Sequence, residues 1–204
     1  MTNQELVTFA KSKLGTPYVY GMKGDVLTEK RYQTLRILFG PLVWDKDRAK
    51  IGQVCVDCSG LISWGTGIHR NSQGYHDTAA EVFLISTISQ APVGAAVWCK
   101  GHIGIYLGDG KYIAADGSRY GVRIASVKGS PFTHWFCLKD IAYKEEEMVT
   151  KETIIYNDKE YDVEMIRKDG VTYLKTRDIA RIMGLSVESK GKIPVLADKK
   201  GSAA

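Results

Sequence analysis

Two segments of this 204-residue chain carry side chains suited to covalent chemistry. In Val56-Asp57-Cys58-Ser59-Gly60-Leu61-Ile62, a cysteine stands where an apolar helical run begins, flanked by small and polar residues. The partial positive charge of a helix N-terminus favours the thiolate, the nucleophilic form of that side chain. In Gly101-His102-Ile103-Gly104-Ile105-Tyr106-Leu107-Gly108, a histidine opens a run of strand-forming residues. A rigid strand can hold an imidazole against a thiolate on a neighbouring helix, the pairing that nucleophilic catalysis by cysteine requires. The two residues are 44 positions apart, so only the fold can bring them together.

The elements that must position them follow from periodicity. Thr2 or Asn3 can cap a first helix bearing Leu6, Phe9, Ala10 and Leu14 at helical spacing, closed by Gly15. TEKRYQTLRILFG is a second amphipathic run, ended by Gly40-Pro41, and a third helix starts near Cys58. From residue 93 to 128 the pattern changes to short β-prone runs separated by Gly-Asp-Gly and Asp-Gly-Ser turns, an antiparallel meander. Helices followed by a sheet indicate α+β. The polar stretch KEEEMVTKET lacks apolar periodicity and marks a boundary near residue 148. The expected organisation is a domain over 1–143, a linker over 144–150 and a small α+β domain over 151–204. In the last, strands at 153–157 and 160–166 meet at Asn157-Asp158, and a turn at Lys168-Asp169-Gly170 follows. A helix at 176–183 then precedes two strands split at Lys190-Gly191.

Composition narrows the classes. With 44% apolar and 25% charged residues the chain is globular rather than disordered. No apolar run approaches the ~20 residues of a bilayer-spanning helix. MTNQELVTFAKSKLG lacks the apolar core of a secretory signal, so synthesis in the cytoplasm is expected. Four cysteines are too few for a disulfide scaffold. The net charge of +5 is uneven: residues 1–144 hold 17 Lys/Arg against 11 Asp/Glu (+6), and residues 145–204 hold 11 against 12 (−1). A basic balance of this size suits a polyanionic partner without requiring nucleic acid.

GTPYVYG at 15–21, DCSGLI at 57–62 and GHIGIYLGDGKYI at 101–113 together resemble the NlpC/P60 cysteine peptidases of bacterial cell walls, over roughly residues 5–140. The resemblance implies a papain-like α+β core with the cysteine helix packed on the histidine strand. It also implies cleavage of an amide bond in peptidoglycan stem peptides, commonly between D-γ-glutamate and the next diamino acid, or of the N-acetylmuramoyl–L-alanine bond. By position, Cys58 becomes the nucleophile and His102 the base. Tyr18 lines the site, Asp57 is the acidic neighbour that can meet a substrate amine, and Ser59 with the Cys58 amide can serve the oxyanion. Trp98, just ahead of the histidine strand, is expected in the core or at the cleft wall. The family's third polar residue falls at Ala114, which cannot orient an imidazole. Asp116, two residues on, projects to the same strand face and is expected to take that role; opening the Asp116-Gly117 turn is its other reading.

Gly21 to Asp57 spans 36 positions, longer than in compact members, and holds Leu35, Ile37, Leu38, Phe39, Leu42 and Trp44. A helical hairpin covering the core is expected there. This longer layout resembles phage-borne members, including endolysins, which reach the wall without a signal peptide. Residues 170–185, GVTYLKTRDIARIMGL, resemble a small repeat of Gram-positive surface proteins called copper-amine-oxidase N-domain-like. Wall binding, or homo-oligomerisation as its rival, is the expected role of the C-terminal domain, with Tyr156, Tyr161 and Tyr173 able to serve either. No metal or organic cofactor and no membrane insertion are expected. The alternative zinc set Cys55, Cys58, Cys99 and His102, and a redox-active Cys55–Cys58 pair, are the competing chemistries. A non-catalytic wall-binding protein is the competing function.

Overall fold

Helix α1 (Asn3–Ser12) starts with a reciprocal cap, in which the Thr2 hydroxyl accepts the Glu5 N–H and the Glu5 carboxylate accepts the Thr2 N–H. It buries Leu6, Val7 and Ala10. The helix stops at Ser12, earlier than its apolar spacing suggests, so Leu14 lies beyond it and is exposed. The computed structural model describes residues 1–143, 149–168, 171–191 and 193–198, in two compact units, Met1–Lys144 and Glu145–Ala204.

In the first unit, α1 is followed by β1 (Lys23–Val26), α2 (Glu29–Phe39), β2 (Val54–Val56), α3 (Cys58–Thr66) and α4 (Ser72–Asp77). Then come β3 (Phe83–Leu84), β4 (Ala96–Cys99), β5 (His102–Gly108), β6 (Lys111–Ala115), β7 (Val122–Ser126) and β8 (His134–Phe136). β1 and β2 pair with each other. The other six strands form one antiparallel sheet in the order β3-β8-β4-β5-β6-β7. Asp109 and Gly110, both at positive φ, make the two-residue turn between β5 and β6, the geometry that matches strand twist. Strand alternation divides the core. Ile103, Ile105, Ile113 and Phe136 on one face pack with Leu6, Ala10, Leu61 and Ile62 of α1 and α3. Val97, Tyr106, Tyr112, Ala114 and Trp135 on the other face pack with Val127 and Phe132. This is the papain-like α+β arrangement: the cysteine helix lies on the antiparallel sheet that carries the histidine.

The segment between Gly21 and Asp57 is not a helical hairpin. It holds one α-helix, two 3-10 turns and the two short strands. Tyr32, Leu35 and Val43 bury themselves with Val19, Met22, Leu27 and Cys55 in a separate small core, whereas Ile37, Leu38, Leu42 and Trp44 stay exposed. Gly40 and Pro41 end α2, and the residues that follow close only into 3-10 turns at Gly40–Leu42 and Asp45–Lys50 before β2.

The second unit contains β9 (Thr150–Tyr156), β10 (Lys159–Lys168), β11 (Val171–Leu174), α5 (Thr176–Ile182), β12 (Leu185–Lys190) and β13 (Ile193–Asp198). β11-β10-β9 form one sheet and β12-β13 a hairpin. Asn157 and Asp158, both left-handed, make the two-residue β9–β10 turn. Residues 169–170 of the expected turn lie outside the described residues. Val163, Met165 and Ala180 are its buried apolar residues among those described. No helix among the described residues is long and apolar enough to cross a membrane.

Candidate active site

Asp57 fixes the start of α3. Its backbone is extended and its carboxylate caps the helix: Oδ1 accepts the Gly60 N–H at 2.5 Å and the Ser59 hydroxyl at 3.0 Å. Oδ2 accepts the Gly21 N–H at 2.9 Å, so the same side chain holds the 15–21 loop against the helix. Gly60 is dictated by this packing, since a Cβ there would lie 2.2 Å from the Met22 carbonyl oxygen. The Asp57 carboxylate is buried with all three donors internal, and the Ser59 hydroxyl is already committed to it.

Cys58 is the first residue of α3 and is 6% exposed. The backbone amides of Ile103, Ser59 and Cys58 itself lie close enough to the sulfur to lower its pKa. Ile103 follows His102 on β5, which puts the sulfur against the strand carrying the imidazole. Burial pushes the Cys58 thiol up to about 12 and the Asp57 charge adds to the shift, while the amides at the helix start act the other way, in the sense expected of a helix N-terminus.

His102 and Asp116 come together: Nε2 of the imidazole lies 3.0 Å from Asp116 Oδ1. Asp116 also accepts the Tyr112 hydroxyl at 3.0 Å and the Arg123 Nε–H at 2.6 Å, both on Oδ2. Burial would raise the Asp116 carboxyl, but the hydrogen bonds from His102, Arg123 and Tyr112 outweigh it and hold it below its ordinary range. An ionised Asp116 accepting the Nε2–H leaves Nδ1 as the unprotonated nitrogen of a neutral imidazole. The ring is stacked on Phe132 at 5.3 Å and 7°, and Tyr112 meets Phe132 edge-on at 4.8 Å. Arg123 in turn lies 3.9 Å from the centroid of the Tyr120 ring. Ala114 is buried on the same strand face, paired with Arg123 across the ladder.

Cavities open on both sides of this pair. One, of about 420 Å³, is lined by Cys58, Asp57, Ser59, Tyr20 and Gly101 on one side and by Arg31, Leu35, Leu38 and Phe39 of α2 on the other. The second, of about 270 Å³, is lined by Tyr18, His102, Tyr112, Asp116, Arg123 and Pro131. Tyr18 is buried. It packs in the same cluster as Cys58, and burial with the nearby Asp57 charge pushes its phenol well above the ordinary range. Trp98 stands behind the wall instead of lining it: it is buried, donates its indole N–H to the Ser72 carbonyl at 3.0 Å and stacks on His76 at 4.1 Å. Ser72 is the residue at that point of the cavity surface.

Residues that sequence reasoning missed complete the site. Tyr112 and Arg123 were findable, because Tyr112, Ala114 and Asp116 share a strand face and Arg123 pairs opposite Ala114. Lys50 and Asp47 were not, because no local pattern points from them to the site. Lys50 Nζ donates to the carbonyls of Tyr18 at 2.7 Å and Ser118 at 2.9 Å, and pairs with the fully buried Asp47 at 2.6 Å. Asp47 also accepts the Ser118 hydroxyl at 3.0 Å, so this pair clamps the turn that follows Asp116. Cys55 packs in the α2 core, apart from the cluster that holds Cys58. The cysteines are free, and among the described residues no group of three or more His, Cys, Asp or Glu is placed to hold a metal ion.

Comparison with known proteins follows the same residues. Positions 15–140 match the NlpC/P60 family. A search of curated proteins finds no match. Among solved structures, the chain is similar to the P60 domain of antigen MAP1204 from Mycobacterium avium subspecies paratuberculosis, at 24% identity over 69% of this chain and 96% of that one, TM-score 0.46. It is similar to the peptidoglycan hydrolase RipB of Mycobacterium tuberculosis, at 23% identity over 69% and 65%, TM-score 0.44. It is also similar to NlpC1 of Trichomonas vaginalis, at 20% identity over 67% and 43%, TM-score 0.45. The chain thus spans less than two thirds of the latter two. The family match covers more than half of the residues, and the chain belongs to the NlpC/P60 family of cysteine peptidases that act on peptidoglycan.

Proposed function

We propose that this chain hydrolyses an amide bond in or next to the stem peptide of peptidoglycan, with Cys58 as nucleophile, His102 as base and acid, and Asp116 orienting the imidazole. The observation that carries this reading is the 3.0 Å His102–Asp116 bond at the start of the strand whose next residue, Ile103, packs in the same core cluster as Cys58. The Cys58 proton passes to His102 Nδ1 as the sulfur attacks the scissile carbonyl carbon. The backbone amides of Cys58 and Ser59, which have no carbonyl partner inside α3 and lie beside the sulfur, turn to the developing oxyanion. The carbon–nitrogen bond then breaks, His102 returns the proton to the leaving amine, and a thioester remains. His102 next takes a proton from water, hydroxide adds to the thioester, and the thiol leaves with that proton. Water is the only co-reactant the steps require.

The favoured bond is that between D-γ-glutamate and the following diamino acid. We read the long segment before Cys58 as that of a phage lytic enzyme, and the second unit as a wall-binding or self-associating module. Digestion of purified peptidoglycan, followed by mass spectrometry of the soluble products, tests the assignment. Fragments with a new diamino-acid N-terminus are expected, and none from Cys58→Ala. Peptides beginning with L-alanine would move the assignment to an N-acetylmuramoyl-L-alanine amidase. Release by Cys58→Ala equal to that of the parent would refute the nucleophile.

A further inference from the structure

We infer that α2 makes the Cys58 cavity selective for a peptide carrying a free carboxylate on an aliphatic stem, an inference that rests on the peptidoglycan amidohydrolase reading above. The wall of this cavity opposite Cys58 comes from the segment between Gly21 and Asp57, with Leu35, Leu38 and Phe39 forming an apolar strip. Three cations, Lys23, Arg31 and Arg70, line the same space. Arg70 is paired with Asp140, whereas Lys23 and Arg31 have no carboxylate partner among the described residues. The one carboxylate in the lining, Asp57, is buried and takes its three donors from Gly60, Ser59 and Gly21, so it does not neutralise them.

An apolar strip bordered by two unpaired cations is complementary to methylene groups that end in an anion, and a planar guanidinium binds a carboxylate by two parallel hydrogen bonds. Asp57 beside the nucleophile repels a carboxylate placed against it, so the anion is held by Lys23 of β1 and Arg31 of α2, which line the same cavity. In a stem peptide two groups supply this chemistry: the α-carboxylate of the D-glutamyl residue and a carboxylate on the side chain of the diamino acid. The Lys23 and Arg31 cations would bind either; an ammonium-terminated side chain in the same place would be repelled.

The test compares four disaccharide peptides, with each of the two carboxylates free or amidated, on the intact protein and on the double variant Lys23→Gln/Arg31→Gln. The expected result is that the parent prefers one free acid over its amide by about tenfold in kcat/KM, the scale of one charge-assisted hydrogen bond, and that the double variant loses this preference through KM. Which amidation matters identifies the carboxylate. Binding of the same peptides to Cys58→Ala, followed by calorimetry, separates the two levels: a preference for the free acid without any turnover by the parent would overturn the enzymatic reading and keep the selectivity. Equal kcat/KM for free and amidated peptides in the parent, or a preference unchanged in the double variant, would overturn the selectivity.

Discussion

Asp116 offers the sharpest test of how this site works. In Asp116→Asn the side chain keeps its shape but loses its charge, in a position that now receives three hydrogen bonds, from His102 at 3.0 Å, Tyr112 at 3.0 Å and Arg123 at 2.6 Å. An amide offers one acceptor oxygen and one NH₂, so it cannot serve donors on both sides. If the oxygen turns to Tyr112 and Arg123, the NH₂ faces Nε2 and drives the imidazole to the tautomer with its proton on Nδ1, leaving no base toward Cys58. If the oxygen stays with His102, the Arg123 N–H faces another donor and the imidazolium loses its counter-charge. Either way at least one hydrogen bond to a charged group is lost, worth about 1.5–3 kcal/mol, which corresponds to roughly 10- to 150-fold in rate. The expected outcome is a fall of that size in kcat with KM little changed, measured by single-peptide turnover of a soluble disaccharide peptide. Asp116→Ala is the companion: turnover near the parental rate in that variant would refute the orienting role, leaving Asp116 as a turn residue. The sign of the pH dependence is fixed as well. The folded carboxyl is held below its ordinary range, so Asp116 contributes stability above its unfolded pKa, and this is lost as pH falls through the folded value. The difference in thermal midpoint between the parent and Asp116→Ala should therefore shrink at strongly acidic pH.

Three further outcomes are expected. The Cys58 thiol, pushed up to about 12 mainly by burial, should be alkylated by iodoacetamide only at strongly alkaline pH in the substrate-free protein, read by mass spectrometry; rapid alkylation near neutral pH would contradict that effect of burial. Gly60→Ala should destabilise by at least the 1–3 kcal/mol of overpacking, because its Cβ would meet the Met22 carbonyl at 2.2 Å; a thermal midpoint equal to the parent's would contradict the packing. Full-length Cys58→Ala should co-sediment with purified cell walls if the second unit binds them, and a protein ending at residue 144 should sediment less; equal sedimentation combined with a dimeric full chain in light scattering would favour self-association.

Local chemistry made much of the site legible in the sequence. A capping aspartate, a cysteine and two small residues at the head of an apolar run mark a tightly packed helix start. The period-two alternation from Tyr112 through Ala114 pointed to Asp116, whose carboxylate lies 3.0 Å from the His102 imidazole although Ala114 occupies the expected position. The Asp109-Gly110 and Asn157-Asp158 turns announced their hairpins because few other residues accept positive φ. What sequence could not supply were effects that depend on packing across distant parts of the chain. The helix-start amides and the Asp57 charge that act on Cys58 are visible locally, while the burial that outweighs those amides is not. The segment between Gly21 and Asp57 was misjudged because its apolar residues look like core, whereas Ile37, Leu38, Phe39, Leu42 and Trp44 remain exposed, Leu38 and Phe39 along the cavity. The buried Asp47–Lys50 pair joins positions 68 to 71 residues apart, from its own segment to Ser118, and no periodicity encodes such a contact. Sequence alone determined which atoms could do chemistry and on which elements they lie; the tertiary structure decided their protonation and the charge that faces the substrate, because both depend on the solvent that packing removes.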